Sequence, residues 1–284
     1  SPFISCMALR MTQAQDETRI PVIIGVGQVN DRPSDDADAL DSRQLMEAAI
    51  RTADADAGGG FISRIDWLGI TRQISFPSLD KTMVEGICSL LGIAPAHAEQ
   101  SKGPNGDTPI KYLNDAANAI GEGRAQVAII AGAEALRTAA RRPDGGGIGR
   151  NMRMPEDPPI HVKYGLRTPT DIYPLYENAG RKAWGQSLAE GQAETGIIWS
   201  LFSQVAAGNP AAWIRKPITA DEVITANANN RPIAFPYTKL MVANSSVNQG
   251  AALLVTSLAV ARAAGVAENR IIYVGKGAAA HESD

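Results

Sequence analysis

Two cysteines and three histidines are the side chains of this chain best suited to act as nucleophile, base or metal ligand. Cys88 shares one helical face with Val84, Ile87 and Leu91. A thiol in that position is expected to be a small core residue, buried and unreactive. Cys6 lies in a leader with no helical or strand pattern, so no disulfide framework is expected. His97, His161 and His281 are far apart and lack metal-ligand spacing, so no metal is expected. Gly25-Val26-Gly27 follows an apolar run and invites a dinucleotide reading. The third glycine of that fingerprint is absent, because Asn30 stands in its place, and no acidic residue closes a second strand. A tight strand-to-loop turn is the expectation there. Asp35-Asp36-Ala37-Asp38 reads as a solvated loop.

Two stretches carry more. Gly103-Pro104-Asn105-Gly106-Asp107-Thr108-Pro109 joins a strand pattern to a helix pattern. Asp107 or Thr108 suits the cap and Pro109 the first turn. Such a helix start can receive an anion or a developing negative charge; a well-capped helix explains it equally. Asn244-Ser245-Ser246-Val247-Asn248-Gln249-Gly250-Ala251-Ala252 is a polar loop of small residues leading into an apolar strand, a common place for binding groups.

These loops need a frame. Apolar runs at 20–27, 65–70, 98–102 and 126–132 read as strands, and the amphipathic spacing at 42–55, 81–91 and 108–121 predicts helices between them. In the last helix, Ile110, Leu113, Ala117 and Ile120 are expected to face inward. Strand–helix alternation implies a mostly parallel sheet with right-handed crossovers. The pattern breaks at 141–237, which is rich in Pro, Gly, Arg and Asn, with helices predicted at 172–184 and 187–207. Strands resume at 251–256 and 270–274, separated by a helix at 258–264.

Composition narrows the function classes. The formal net charge of −3, without a basic stripe, argues against a nucleic-acid partner. No apolar run reaches the ~20 residues of a membrane span, and cysteine usage suits a reducing cytoplasm.

Taken in order, several segments resemble the thiolase superfamily, in particular its sterol-carrier-protein type. Ile24-Gly25-Val26-Gly27-Gln28 is similar to that branch's opening strand. The run from Gln126 to Leu136, ending Gly132-Ala133-Glu134-Ala135-Leu136, resembles the Gly-x-Glu-x-Met/Leu signature. Ile218-Thr219-Ala220-Asp221-Glu222-Val223-Ile224 resembles the short helix late in the family's loop domain. Asn248-Gln249-Gly250-Ala251-Ala252 resembles its Ser/Asn-Asp-Gly-Ala-Ala. The likeness runs from about residue 20 to residue 280.

The resemblance implies an α/β thiolase-like layered fold: a mostly parallel five-stranded sheet, its strand at 251–256 antiparallel to the rest, with an inserted helical loop subdomain. Residues 1–19 are expected to be a leader without fixed structure. Residues 20–136 and 241–268 form the N-terminal thiolase-like domain, 137–240 the loop subdomain, and 269–284 the start of a missing C-terminal half. The family binds coenzyme A thioesters and transfers acyl groups, as in acetyl-CoA acetyltransferase. A cysteine at the start of the third helix is acylated, and the second half supplies an activating histidine and a second cysteine. Counting back from Gly132 puts the nucleophile position of this chain at Gly106, so no catalytic residue carries over. Coenzyme A is expected as substrate or ligand, not as a resident cofactor. Its arm is expected against Asn244, Ser246 and Asn248, and its phosphates against Arg215 and Lys216. The expected function is acyl-CoA binding without thiolysis. The alternative is a non-catalytic binding or assembly subunit that completes a site with a partner chain, either a missing half, another subunit or a second copy.

Overall fold

The structure is a computed structural model in which residues 16–147 and 156–280 are described. Most of the expected leader, Cys6 and His281 lie outside the described residues; Glu17–Arg19 form a single 3-10 turn.

The chain begins, in order, with β1 (Pro21–Asn30), α1 (Ser42–Asp56), β2 (Trp67–Ile70), α2 (Met83–Leu91), β3 (His97–Gln100), α3 (Thr108–Glu122), β4 (Val127–Ala135) and α4 (Leu136–Ala139). There follow α5 (Ile160–Lys163), α6 (Pro169–Ala183), α7 (Leu188–Gly208), α8 (Ala220–Ile224) and a hairpin of β5 (Pro232–Ala234) and β6 (Tyr237–Thr238). The chain then returns through β7 (Asn248–Ser257), α9 (Leu258–Ala263) and β8 (Ile272–Tyr273).

The main sheet has six strands in the order β3-β2-β4-β7-β1-β8. β2 runs parallel to β3 and β4, whereas β7 pairs antiparallel with both β4 and β1, and β8 antiparallel with β1. The sheet is therefore mixed, not the mostly parallel five-stranded sheet expected. The sixth strand is the segment predicted at 270–274, which forms an edge against Val22 and Ile23. The five strands expected together do share one sheet, with β7 opposed to the others.

The glycines of β1 have a different purpose from the turn expected of them. A Cβ on Gly25 would overlap the carbonyl oxygen of Ala53, and one on Gly27 that of Ala49. On β7, a Cβ at Gly250 would lie 2.7 Å from the carbonyl oxygen of Leu45. Leu45, Ala49 and Ala53 recur every four residues, so they form one stripe of α1. Three glycines on two adjacent strands thus let the backbone of α1 rest directly on the sheet. The buried face of α1, with Met46 and Ile50, joins Val22, Ile24, Ile129 and Leu254 in the larger core.

α3 covers part of the opposite face. Tyr112, Ala116, Ala119 and Ile120 pack on Trp67, Ala128, Ile130 and Val255. Ile110, expected inward, is 68% exposed; the inward stripe passes through Tyr112, whose ring meets Trp67 edge-on. Beyond α3 this face stays open, and Val26 on it is 46% exposed. Cys88 is half-buried at the margin of the larger core, not fully buried; burial, then the charge of Glu85, push its thiol pKa up.

The two long helices α6 and α7 begin where expected to within a few residues. Ser187 starts α7 with a capping box: its hydroxyl accepts from Glu190 N at 3.3 Å, and the Glu190 carboxylate accepts from Ser187 N at 2.8 Å. Thr219 and Glu222 repeat the device at α8. α7 packs on α8 through Gly196 and through Ser200, whose hydroxyl donates to the carbonyl of Ile218 at 2.8 Å. Among the described residues no helix is long and apolar enough to cross a membrane.

Candidate functional site

Gly106 sits in an exposed turn one residue before the cap position of α3. Asp107 occupies that cap position, but its side chain makes no cap hydrogen bond; Lys111 N donates to its carbonyl instead, at 3.0 Å. The carboxyl of Asp107 is thus left beside the helix start. A Cβ at Gly106 would meet nothing within 4 Å, so the position is open.

Pro109, in the first turn of α3, lines a cavity of about 450 Å³ with Thr71, Arg72, Gly132, Glu134 and Gln249. Glu134 is the residue of this cavity whose chemistry sequence reasoning passed over. It accepts from Ile74 N at 2.9 Å, from Ser75 N at 3.1 Å and from the Ser75 hydroxyl. That hydroxyl in turn accepts from Ala135 N at 2.8 Å. Burial raises the Glu134 pKa in spite of these bonds. The available signal was its place: an acid at the carboxyl end of a buried apolar strand needs partners. Arg72 stands next to the cavity with its guanidinium paired to Asp80 at 3.0 Å.

A larger cavity, about 780 Å³, opens between α6, α7 and the segment from β6 onward. Its walls are Tyr173 and Glu177 of α6, Ile198 and Trp199 of α7, and the stretch from Tyr237 to Ser245. α6 and α7 both face it, whereas Ile197, Leu201, Phe202 and Val205 on the rest of α7 are exposed. Burial, and next the Glu177 carboxylate, hold the Tyr237 phenol proton far more tightly than usual.

The five residues expected to contact a ligand divide. Asn244 and Ser246 are exposed in the loop, with Ser246 N donating to the Asn244 side chain at 3.0 Å. Their neighbour Ser245 is the one that lines the cavity. Asn248 is 0% exposed. Its side-chain oxygen accepts from Thr138 N at 3.1 Å, and its amide donates to the Thr138 hydroxyl at 2.8 Å and to Asp31 at 3.2 Å. Asn248 therefore holds the loop in place; burial withdraws it from direct ligand contact. Arg215 and Lys216 are exposed, and the Arg215 guanidinium donates to the carbonyl of Ala207 at the end of α7.

Sequence spacing did not join these groups, but Arg137 does. Its backbone N–H donates to the carbonyl of Val247 at 3.2 Å, and its guanidinium lies 6.0 Å from the ring centroid of Trp213. Arg32 stacks on that ring at 5.0 Å and donates to the Trp213 carbonyl. Arg137 thus links Val247 of the loop to Trp213, which Arg32 also meets.

Comparison with solved structures places this architecture. The chain superimposes on a monomeric SCP2-thiolase-like protein type 1 from Mycobacterium smegmatis with a TM-score of 0.71 and 30% identity, over 90% of this chain and 50% of that one. An Ltp2–ChsH2(DUF35) aldolase matches with a TM-score of 0.64 and 22% identity, over 86% of this chain and 57% of that one. Human mitochondrial 3-ketoacyl-CoA thiolase, solved in complex with CoA, gives 0.54 and 12%, over 88% of this chain and 68% of that one. No family model and no curated protein matches the chain. The chain spans about half the length of the mycobacterial protein. Its fold is thiolase-like and corresponds to the N-terminal half.

Proposed function

We propose that this chain, folded as the N-terminal half of a thiolase-like protein, binds a coenzyme A thioester and does not itself perform thiolysis. The observation that carries the reading is the cavity of about 780 Å³ between α6, α7 and the loop ending in Ser245. Its volume falls within the range of small-molecule sites. Threonine and serine hydroxyls on otherwise apolar walls suit an arm that offers amides and methylenes. Arg32 and Arg137 beside Trp213, with Arg215 and Lys216 two and three residues further along the chain, would supply the positive side that phosphates require.

Acyl transfer through an enzyme-bound thioester needs a nucleophile where the chain has Gly106. Glycine has no side chain to acylate, and the neighbouring Asp107 carboxyl would oppose a thiolate. A second α/β half, in the same polypeptide or in a partner, completes the site in this reading. The half-length match and the open sheet face beside Val26 support that arrangement. Gly106 also favours a second reading, a binding or assembly subunit without chemistry of its own. Titration calorimetry with coenzyme A and an acetoacetyl-CoA thiolysis assay test both. Binding without turnover is expected. Turnover traceable to this chain overturns the mechanistic part, and absence of binding at millimolar ligand leaves the assembly role. Intact mass of the natural protein and of what co-purifies with it tells whether a second half accompanies it.

A further inference from the structure

α7 carries apolar side chains on more sides than its neighbours use. Its charged residues, Glu190 and Glu194, both stand in its first third, and every residue from Thr195 to Gly208 is uncharged. One side meets α8 through Gly196 and Ser200. Thr195, Ile198 and Trp199 line the large cavity. A third side is left uncovered by the described residues. Glu194, Ile197, Leu201, Val205 and Gly208 recur at intervals of three and four, so they form one stripe. Ile197, Leu201 and Val205 on it are 55%, 54% and 73% exposed. A helix that is apolar on all sides is ordinarily a buried one.

The two ends of the stripe carry opposite charges. At its start the exposed Glu194 carboxylate accepts from the Gln186 side-chain amide at 2.8 Å. At its finish the Arg215 guanidinium donates to the carbonyl of Ala207 at 3.4 Å. Neither has an ion-pair partner among the described residues. Leu201 lies midway, seven residues after Glu194 and seven before Gly208. A two-fold axis through Leu201 would set Glu194 of each helix opposite Gly208 of the other, next to Ala207 and its Arg215, and Ile197 opposite Val205. A Cβ at Gly208 would meet nothing within 4 Å, so the carboxylate has room there. Parallel pairing would oppose Glu194 to itself. We propose that the uncovered side of α7 pairs antiparallel with α7 of a second copy of this chain, closed by two Glu194–Arg215 ion pairs. The stripe is self-complementary in shape and in charge, as an isologous contact requires. A lipid surface fits less well, because helices that lie in one carry Lys and Arg on their polar face and residues 188–208 have neither. The mycobacterial SCP2-thiolase-like protein is monomeric, so the pairing belongs to the side chains of this α7 and not to the shared fold. It does not depend on coenzyme A binding.

Sedimentation velocity on the full 284-residue chain tests it. Arg215 is also one of the cations offered to phosphates, so the runs are made without coenzyme A. The unmodified chain is expected to reach twice the mass of one copy at about 10–100 µM, the weak end for a small interface. Leu201→Lys places like charges across the axis and should weaken pairing at least about tenfold. Glu194→Lys and Arg215→Glu should each weaken it about threefold to tenfold, since two symmetry-related surface pairs are lost, and the double variant should recover most of the loss. Leu201→Cys in a Cys6→Ser background should cross-link to itself on mild oxidation, whereas Tyr164→Cys, exposed but off the stripe, should not; this pair is read if the lysine variant fails to fold. A chain that stays monomeric to 200 µM overturns the inference. So does a dimer indifferent to Leu201→Lys, or charge reversals that do not compensate. Adsorption to neutral phosphatidylcholine vesicles by a monomeric chain would assign the stripe to a lipid surface instead and sink the pairing.

Discussion

The Cα of Gly27 and the carbonyl of Ala49 are so close that no side chain fits between strand and helix. The contact is backbone on backbone, so neither side can yield by changing rotamer. Gly27→Ala is expected to cost at least the roughly 3 kcal/mol at the upper end of ordinary overpacking. Gly106→Ala, which meets open space, should stay within about 0.5 kcal/mol of the parent. Urea denaturation of the two variants measures both. Equal midpoints would show that α1 does not rest on the sheet as described.

Glu134 makes stability depend on pH. Its folded-state pKa is raised by burial, so the native state holds the proton more tightly than the unfolded chain does. The stabilisation is fully present below the ordinary glutamate pKa and is lost as pH rises through the raised value. Glu134→Gln has no such proton to lose. The difference in unfolding free energy between parent and variant should therefore tilt toward the variant across that window, and level off above it. A difference that is constant over the window rules the assignment out.

Asn248 and Ser246 are expected to behave oppositely, although they lie two residues apart. Asn248→Ala strips partners from Thr138 N and the Thr138 hydroxyl inside the protein. Leaving buried polar groups unpaired costs about 1–3 kcal/mol each. Ser246→Ala removes an exposed hydroxyl and should fall within about 0.5 kcal/mol. Thermal melts of both decide, and a larger loss for Ser246→Ala contradicts the placement of the loop.

Two thiols offer a comparison of exposure. In a Cys6→Ser background, Gly106→Cys places a thiol in an open turn, whereas Cys88 is half-buried with its pKa pushed up. A disulfide reagent should label the introduced thiol at least tenfold faster than Cys88. Thiolysis should stay absent in that variant, because groups that act as a unit are not restored singly. Equal labelling rates, or recovered turnover, would be the contrary result.

Much of this protein was legible from periodicity. Leu45, Ala49 and Ile50 marked α1, and the apolar run 126–132 marked β4, because burial on one face or both leaves a spacing that sequence preserves. The short strand at Ile272–Tyr273 was visible too, but its pairing with β1 was not, since a strand's neighbours are decided by topology. Ile110 misled because an apolar residue on an uncovered helix face looks the same in sequence as one in a core. Gly25 and Gly27 misled for a different reason: a glycine needed for close approach and one needed for a turn are the same letter. Asn248 looked like a free polar group until its three bonds appeared, and the lining of the large cavity joins segments that no local pattern connects.

Asn30 and Gln249 touch across β1 and β7 although 219 residues separate them, their side chains hydrogen-bonded at 2.8 Å. On the ribosome, at 5–20 residues per second, β1 would wait roughly 10–45 s for the neighbour that completes it. Its apolar face, with Val22 and Ile24, is meanwhile left to α1 alone. The helices α5 to α8 are made during that interval, so they must fold, or at least stay out of the way, before the sheet can close. Long-range pairing of this kind makes folding slow and exposes sticky intermediates. Nascent chains cut anywhere before β7 should therefore be the form of this protein that chaperones hold longest.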